Sequence, residues 1–154
     1  MPKTTKEEFL SRAAEVAFAG VERETDISHF SRPRQVFITI YSTQPIIDNG
    51  GFVYFFEKDW PGRPPYSRFS AAYREIGAVD VAGWIDRAAS LFGITDPHLR
   101  RDVRLQYLKD HCHDESAELI KLGDQVIDES RRVFRLLEKY ARLHTDDFRG
   151  PKHR

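Results

Sequence analysis

A chain of 154 residues has the length of one ordinary domain, and it can bury enough surface to fold without a metal or a disulfide. Its 24 basic and 24 acidic residues cancel, and each half of the chain is neutral too, so the cationic excess typical of a nucleic-acid binder is missing. The single cysteine, Cys112, excludes an intramolecular disulfide and a Cys-x-x-Cys zinc pattern; no apolar run approaches the ~20 residues of a membrane span, the first residues lack the apolar run of a signal peptide, and a cytoplasmic setting is expected.

The first element is a helix. Thr4 or Thr5 can cap it with Glu7 or Glu8 three residues on, Phe9, Ala13, Val16 and Ala17 form its apolar stripe, and Gly20 suits its end. A polar connector runs from Val21 to Phe30. The segment from Ser31 to Pro45 is ambiguous: its β-branched and aromatic run Val36 to Tyr41 favours a strand by propensity, whereas Val36, Phe37, Ile40 and Tyr41 share a helical face and Pro33 suits a first turn. A helix is expected, perturbed at its end by Pro45. Asp48-Asn49-Gly50-Gly51 signals a turn, with a hairpin as the rival to the helical reading. The aromatic run Phe52, Tyr54, Phe55, Phe56 and Trp60 follows, then the loop Pro61 to Pro65.

Helical periodicity is firmer beyond Ser67. Phe69, Ala72, Tyr73 and Ile76 fall at i, i+3, i+4 and i+7 before Gly77, and Val81, Trp84, Ile85, Ala88, Leu91 and Phe92 repeat the pattern before Gly93. Asp96-Pro97 reads as the cap and first turn of the next helix, whose apolar face of Leu99, Val103 and Leu108 is thin. In the last element Leu119, Leu122, Val126, Val133, Leu137 and Tyr140 line one side, and Gly123 is a place to divide it in two. An all-α bundle of about six helices is expected, as one domain over residues 1–148 with a frayed tail at 149–154.

The stretch Asn49-Gly50-Gly51-Phe52, its aromatic followers Phe55 and Phe56, and the helix closing on Ile76-Gly77-Ala78 together resemble the domain of unknown function 4375 family. The likeness spans about Tyr41 to Gly93, and more loosely the last helix through Tyr140, His144 and Phe148. The family usually carries Gln where this chain has Tyr54. It is similar to a DNA-mimic protein, an all-helical dimer that occupies the DNA-binding surface of a transcriptional regulator. The resemblance therefore implies a helical fold, admits a homodimer, and points towards a protein partner.

Asn49, Gly50, Gly51 and Phe52 are expected to serve the fold, because Asn and Gly turn the chain sharply and aromatic neighbours usually pack inward. Between Asp110 and Glu129, seven acidic residues face one lysine, Lys121. Asp114 with Glu118 and Asp124 with Asp128 are spaced i,i+4, which destabilises an isolated helix by about 0.2–0.5 kcal/mol per pair. These residues and Glu129 are thus either a patch for a basic partner or a solvated face balanced by Arg131, Arg132 and Arg135. The loop residues Trp60, Arg63 and Tyr66 are candidates for partner contact or for covering the core. His111-Cys112-His113-Asp114-Glu115 suggests a metal, but on a helix His111 and His113 point about 200° apart. No metal or cofactor is expected, and His144 is the one distant residue that could join His111 and Glu115.

No linear catalytic motif occurs. The expectation is a non-enzymatic interaction module that binds a protein with a basic surface, with no direct nucleic-acid contact and no membrane. An immunity-type inhibitor of a toxin, or a metal protein or enzyme centred on His111 to Glu115, are the alternatives.

Overall fold

The computed structural model describes residues 5–19 and 27–148, which form seven α-helices and two short 3-10 turns, with no strand among them. Gly20, most of the connector before Phe30 and the tail at 149–154 lie outside the described residues. Helix α1, Lys6–Ala17, opens with the expected capping box: the Glu8 N–H donates to Thr5 Oγ1 at 3.1 Å, and the Thr5 N–H donates to Glu8 Oε2 at 3.2 Å. Leu10, Ala13 and Ala17 are its buried stripe. Arg34 closes its other end, donating to the carbonyls of Ala17 at 2.9 Å and Ala19 at 3.0 Å.

Helix α2, Arg32–Glu57, is the centre of the molecule and packs against most other elements. Val36, Phe37, Ile38, Ile40, Thr43, Gln44 and Ile47 are all buried. A helix enclosed on nearly every side loses the 3.6-residue alternation of an amphipathic one, which is why this run looks strand-like and why Ile38 fits no stripe. Pro45 does not end the helix. It sits on an exposed turn, where the carbonyl that its missing N–H leaves free can meet water.

The break comes at Gly50 (φ −148°, ψ 16°) and Gly51 (φ 64°, ψ −160°), and helical structure resumes at once over residues 52–57. The Asp48–Gly51 signal is therefore a corner between two helical segments, not a hairpin turn. Past the corner, Phe52, Phe55 and Phe56 turn inward and meet Trp60, Tyr66, Phe69 and Phe92 in edge-on and tilted contacts, Phe55 to Phe69 at 5.1 Å and Phe56 to Phe92 at 5.0 Å. The Trp60 indole N–H donates to the Phe55 carbonyl at 3.1 Å.

Helices α3, Tyr66–Glu75, and α4, Val79–Ser90, form a tight pair. At their junction the Ala78 N–H reaches back to the Tyr73 carbonyl at 2.8 Å, and the Gly77 N–H to the Arg74 carbonyl at 3.0 Å. These are the paired bonds of a Schellman stop, and Ile76 is buried beside them. Asp96-Pro97 starts a 3-10 turn, Pro97–Leu99, with no side-chain cap from Asp96, and α5 begins afterwards as Arg101–His111. The thin apolar face of α5 is supplemented by Arg104, whose side chain is fully buried. Its guanidinium donates to the carbonyls of Phe56 (2.7 Å), Pro97 (2.8 Å) and His98 (3.1 Å) and to Asp59 Oδ1 (2.7 Å).

The last long element divides at Glu129, not at Gly123, into α6, Glu118–Asp128, and α7, Ser130–Leu143. That raises the helix number above the expected six. Gly123 lies inside α6, where a Cβ would come within 2.8 Å of the Phe52 backbone nitrogen, so the absent side chain lets α6 press onto the corner of α2. Leu119, Val126, Val133, Leu137 and Tyr140 are buried as expected. A final 3-10 turn, Thr145–Phe148, returns over α2 and packs Phe148 against Phe37 in a tilted contact at 5.1 Å.

Candidate functional site

The corner of α2 and the adjoining face of α6 enclose a cleft of ≈ 220 Å³. Asp48, Asn49, Gly50 and Gly51 supply its rim, with Phe52 and Val53 behind them. From α6, Ile120, Asp124 and Ile127 close the opposite side, at the spacing that places all three on one helical face. Tyr54 lies against Gly50 with its side chain half exposed, outside the residues that line the cleft.

Asp48 is held from both sides. Gln44 Nε2 donates to one carboxylate oxygen at 2.9 Å, and the Ser130 hydroxyl donates to the other at 2.6 Å. Gln44 is fully buried and accepts in turn from the Tyr73 hydroxyl at 2.9 Å. Burial pushes the Tyr73 hydroxyl far above the usual phenol range, and the Asp48 charge adds to that shift, so tyrosine is the donor throughout. A hydrogen-bonded chain thus runs from the core of α3 through α2 to the start of α7 and fixes one carboxylate at the rim. Asp124 has no hydrogen-bond or ion-pair partner among the described residues.

The acidic stretch resolves residue by residue. Glu118 pairs with Arg87 at 2.8 Å, and Glu129 pairs with Arg132 at 2.6 Å, the same guanidinium reaching Asp80 at 2.5 Å. Asp114 precedes α6 and so forms no helical pair with Glu118; it accepts from the Ser116 N–H at 2.8 Å and from the Ser116 hydroxyl, bonds that hold its carboxyl below the usual range. Asp124 and Asp128 do share a face of α6, both exposed and unpaired among the described residues. Asp110 accepts from the Gln106 side chain at 2.9 Å, and Glu115, exposed and without a partner among the described residues, precedes α6, so Asp124 and Asp128 are the unpaired acids that α6 itself carries.

In the 60–66 loop the aromatic residues belong to the core. Trp60 and Tyr66 are buried, burial pushes the Tyr66 hydroxyl up to about 12, and Arg63 alone of the three faces solvent. Neither aromatic ring is available as a contact, because the second segment of α2 needs both to complete its cluster. His111 ends α5 with its ring tilted against Tyr107 at 4.5 Å, His144 is tilted against Tyr140 at 4.5 Å, and burial pushes the Cys112 thiol up, away from the reactive thiolate. Among the described residues, no three His, Cys, Asp or Glu side chains gather as a metal site would require.

Sequence reasoning found the corner motif and Asp124 but did not join them; it placed Tyr73 only on an apolar stripe and passed over Gln44, Ser130, Ile120 and Ile127. The i,i+4 spacing of Gln44 and Asp48 was the one available signal; contacts across 82 residues, such as Ser130 to Asp48, leave none.

These features define an all-α bundle wound round a kinked central helix, with a carboxylate-edged cleft at the kink. The family model described as DMP19-like protein matches residues 28–144, and the chain belongs to that family. It is DNA-mimic-like, as the resemblance implied, although the match leaves the domain of unknown function 4375 label unconfirmed. No curated protein and no solved structure matches the chain. No helix among the described residues is long and apolar enough to cross a membrane.

Proposed function

We propose that this protein is a non-enzymatic interaction module that binds a protein partner through the outer face of α6 and the adjoining corner of α2. The observation that carries this reading is the pair Asp124 and Asp128, which face solvent without cations while their neighbours Glu118 and Glu129 are neutralised. Unpaired like charges one turn apart act against the helix that carries them, and a basic partner surface turns that cost into attraction. Membership of a DNA-mimic-like family supports a protein as the partner. The neutral net charge confines the mimicry to a local face, since phosphate-like attraction scales with the number of charges presented. The setting is cytoplasmic, the partner contacts no nucleic acid through this chain, and a second copy of the chain is an admissible partner through a homodimer.

The test is charge reversal. Asp124→Lys with Asp128→Lys should weaken capture of a basic partner at least about tenfold at low salt and flatten its salt dependence. Glu129 is left in place because Arg132 holds it. Binding that keeps its affinity and salt slope in the double variant rules the α6 face out. Light scattering on the same samples reads self-association.

A further inference from the structure

Three sources of negative potential converge on the cleft at the α2 corner, and no basic side chain lines it. Asp124 is unpaired. Asp48 accepts two hydrogen bonds, yet a carboxylate offers about four acceptor sites, so its capacity is not spent. The first segment of α2 also ends here, and the C-terminal end of a helix carries partial negative charge. Between these groups the walls are apolar, formed by Phe52, Val53, Ile120 and Ile127. At ≈ 220 Å³ the space falls below the roughly 300–1,000 Å³ of pockets that enclose small-molecule ligands, and it suits a single inserted side chain.

We propose that the cleft receives the guanidinium of an arginine side chain presented by a protein partner. This deepens the interaction reading given above and rests on it. Arginine suits the site better than lysine on two counts. Its flat fork of five donors can serve Asp124 and the corner's rim together, whereas an ammonium is a single, strongly hydrated point charge. Its methylenes and the faces of the guanidinium pack on apolar walls such as Ile120 and Ile127. The open space beside Gly51, where an added Cβ would meet nothing within 4 Å, leaves the rim free for the approaching chain.

The experiment titrates the ¹⁵N-labelled full chain with three blocked tripeptides, Gly-Arg-Gly, Gly-Lys-Gly and Gly-citrulline-Gly. The arginine peptide should give saturable shifts centred on the amides of Gly50, Gly51 and Gly123, and the neutral citrulline peptide should not. Asp124→Asn, an isosteric change at an exposed position, should weaken the arginine peptide about tenfold or more by removing its charge-assisted acceptor. Asp128→Asn makes the same charge change one turn on, outside the cleft lining, and should cost less than about twofold. Equal responses to arginine and citrulline, shifts centred elsewhere, or undiminished binding in Asp124→Asn would overturn the site, and lysine binding as tightly as arginine would overturn the guanidinium assignment. The two readings fail separately. A partner lost on charge reversal at Asp124 and Asp128 but held by Asp124→Asn as tightly as by the unaltered chain sinks the cleft alone. Arginine-peptide binding at the corner, with partner binding indifferent to charge reversal, sinks the α6 face alone.

Discussion

Gly50 and Gly51 stand side by side at the corner yet tolerate substitution differently. At Gly51 the combination φ 64°, ψ −160° belongs to glycine, and an alanine there should cost about 1–3 kcal/mol even though its methyl group would point into open space. Gly50 has φ −148°, which any residue adopts; its added Cβ would strike the Tyr54 ring at 2.1 Å, but that ring is half exposed and can swing away. Gly50→Ala should therefore cost less than about 1 kcal/mol, roughly that of one shifted rotamer. Gly123→Ala sets a methyl 2.8 Å from backbone at Phe52, which cannot step aside, and should lose about 1–3 kcal/mol. Denaturant unfolding of the three variants checks the order, and a Gly51→Ala protein as stable as Gly50→Ala would contradict it.

Among the elements, the surface-lying helices α3, α4 and α7 were legible from sequence because each buries one stripe, and Thr5 with Glu8 announced the start of α1. Helix α2 was not, since burial on nearly all sides erases the period that separates helix from strand. The division of the last element was misplaced for a related reason: a glycine inside a helix reads as a stop unless the backbone pressed against it is known, and Phe52 lies 71 positions earlier in the chain. Arg104 was equally hidden, since one arginine among 24 basic residues carries no mark of burial. It ties α5 to the end of α2 and to the preceding 3-10 turn by satisfying the carbonyls of Phe56 and Pro97 in buried bonds and that of His98 in a part-buried one. Arg104→Met should therefore destabilise by about 2–4 kcal/mol, through unmet acceptors more than through the half-exposed ion pair with Asp59. Unfolding of this variant near the stability of the parent would mean that solvent reaches those carbonyls.

Across the whole molecule, net neutrality hides how the charges are used: ion pairs such as Arg32–Glu75, Arg87–Glu118 and Arg132–Asp80 stitch helices together. Two of the stitches are expected to contribute to the acid sensitivity of the fold. Asp80 of α4 is held below the usual carboxylate range chiefly by its hydrogen bond from Arg132 of α7. For Glu75 of α3, partial burial acts upward, but the hydrogen bonds from Tyr140 and Arg32 outweigh it and bring the carboxyl down. A depressed folded-state pKa contributes stability that is fully present above the unfolded-state value, near pH 4, and is lost as pH falls through the folded one. The parent chain should hold its stability from pH 7 to about 5 and lose it below about 4. An Asp80→Asn, Glu75→Gln double variant should begin lower and decline less over the same range, by thermal unfolding at each pH. An equally steep decline would assign the acid sensitivity to other carboxylates. The candidate site was legible at this scale only in fragments, because a linear charge run does not reveal which acids an arginine from another helix will neutralise.

The chain of bonds from Tyr73 to Asp48 also bears on which sequences can occupy this fold. Every donor in it points the same way, towards Asp48, and the side chain at position 44 must accept at one end while it donates at the other. A glutamate there would accept from Tyr73 but confront Asp48 with a second negative charge, and a methionine of similar length would strip the Tyr73 hydroxyl of its acceptor and leave Asp48 with Ser130 alone. The exchange of amide for acid that evolution commonly permits is thereby barred at one buried position. Relatives that keep Tyr73 and Asp48 are therefore expected to keep an amide between them, which an alignment of the family checks.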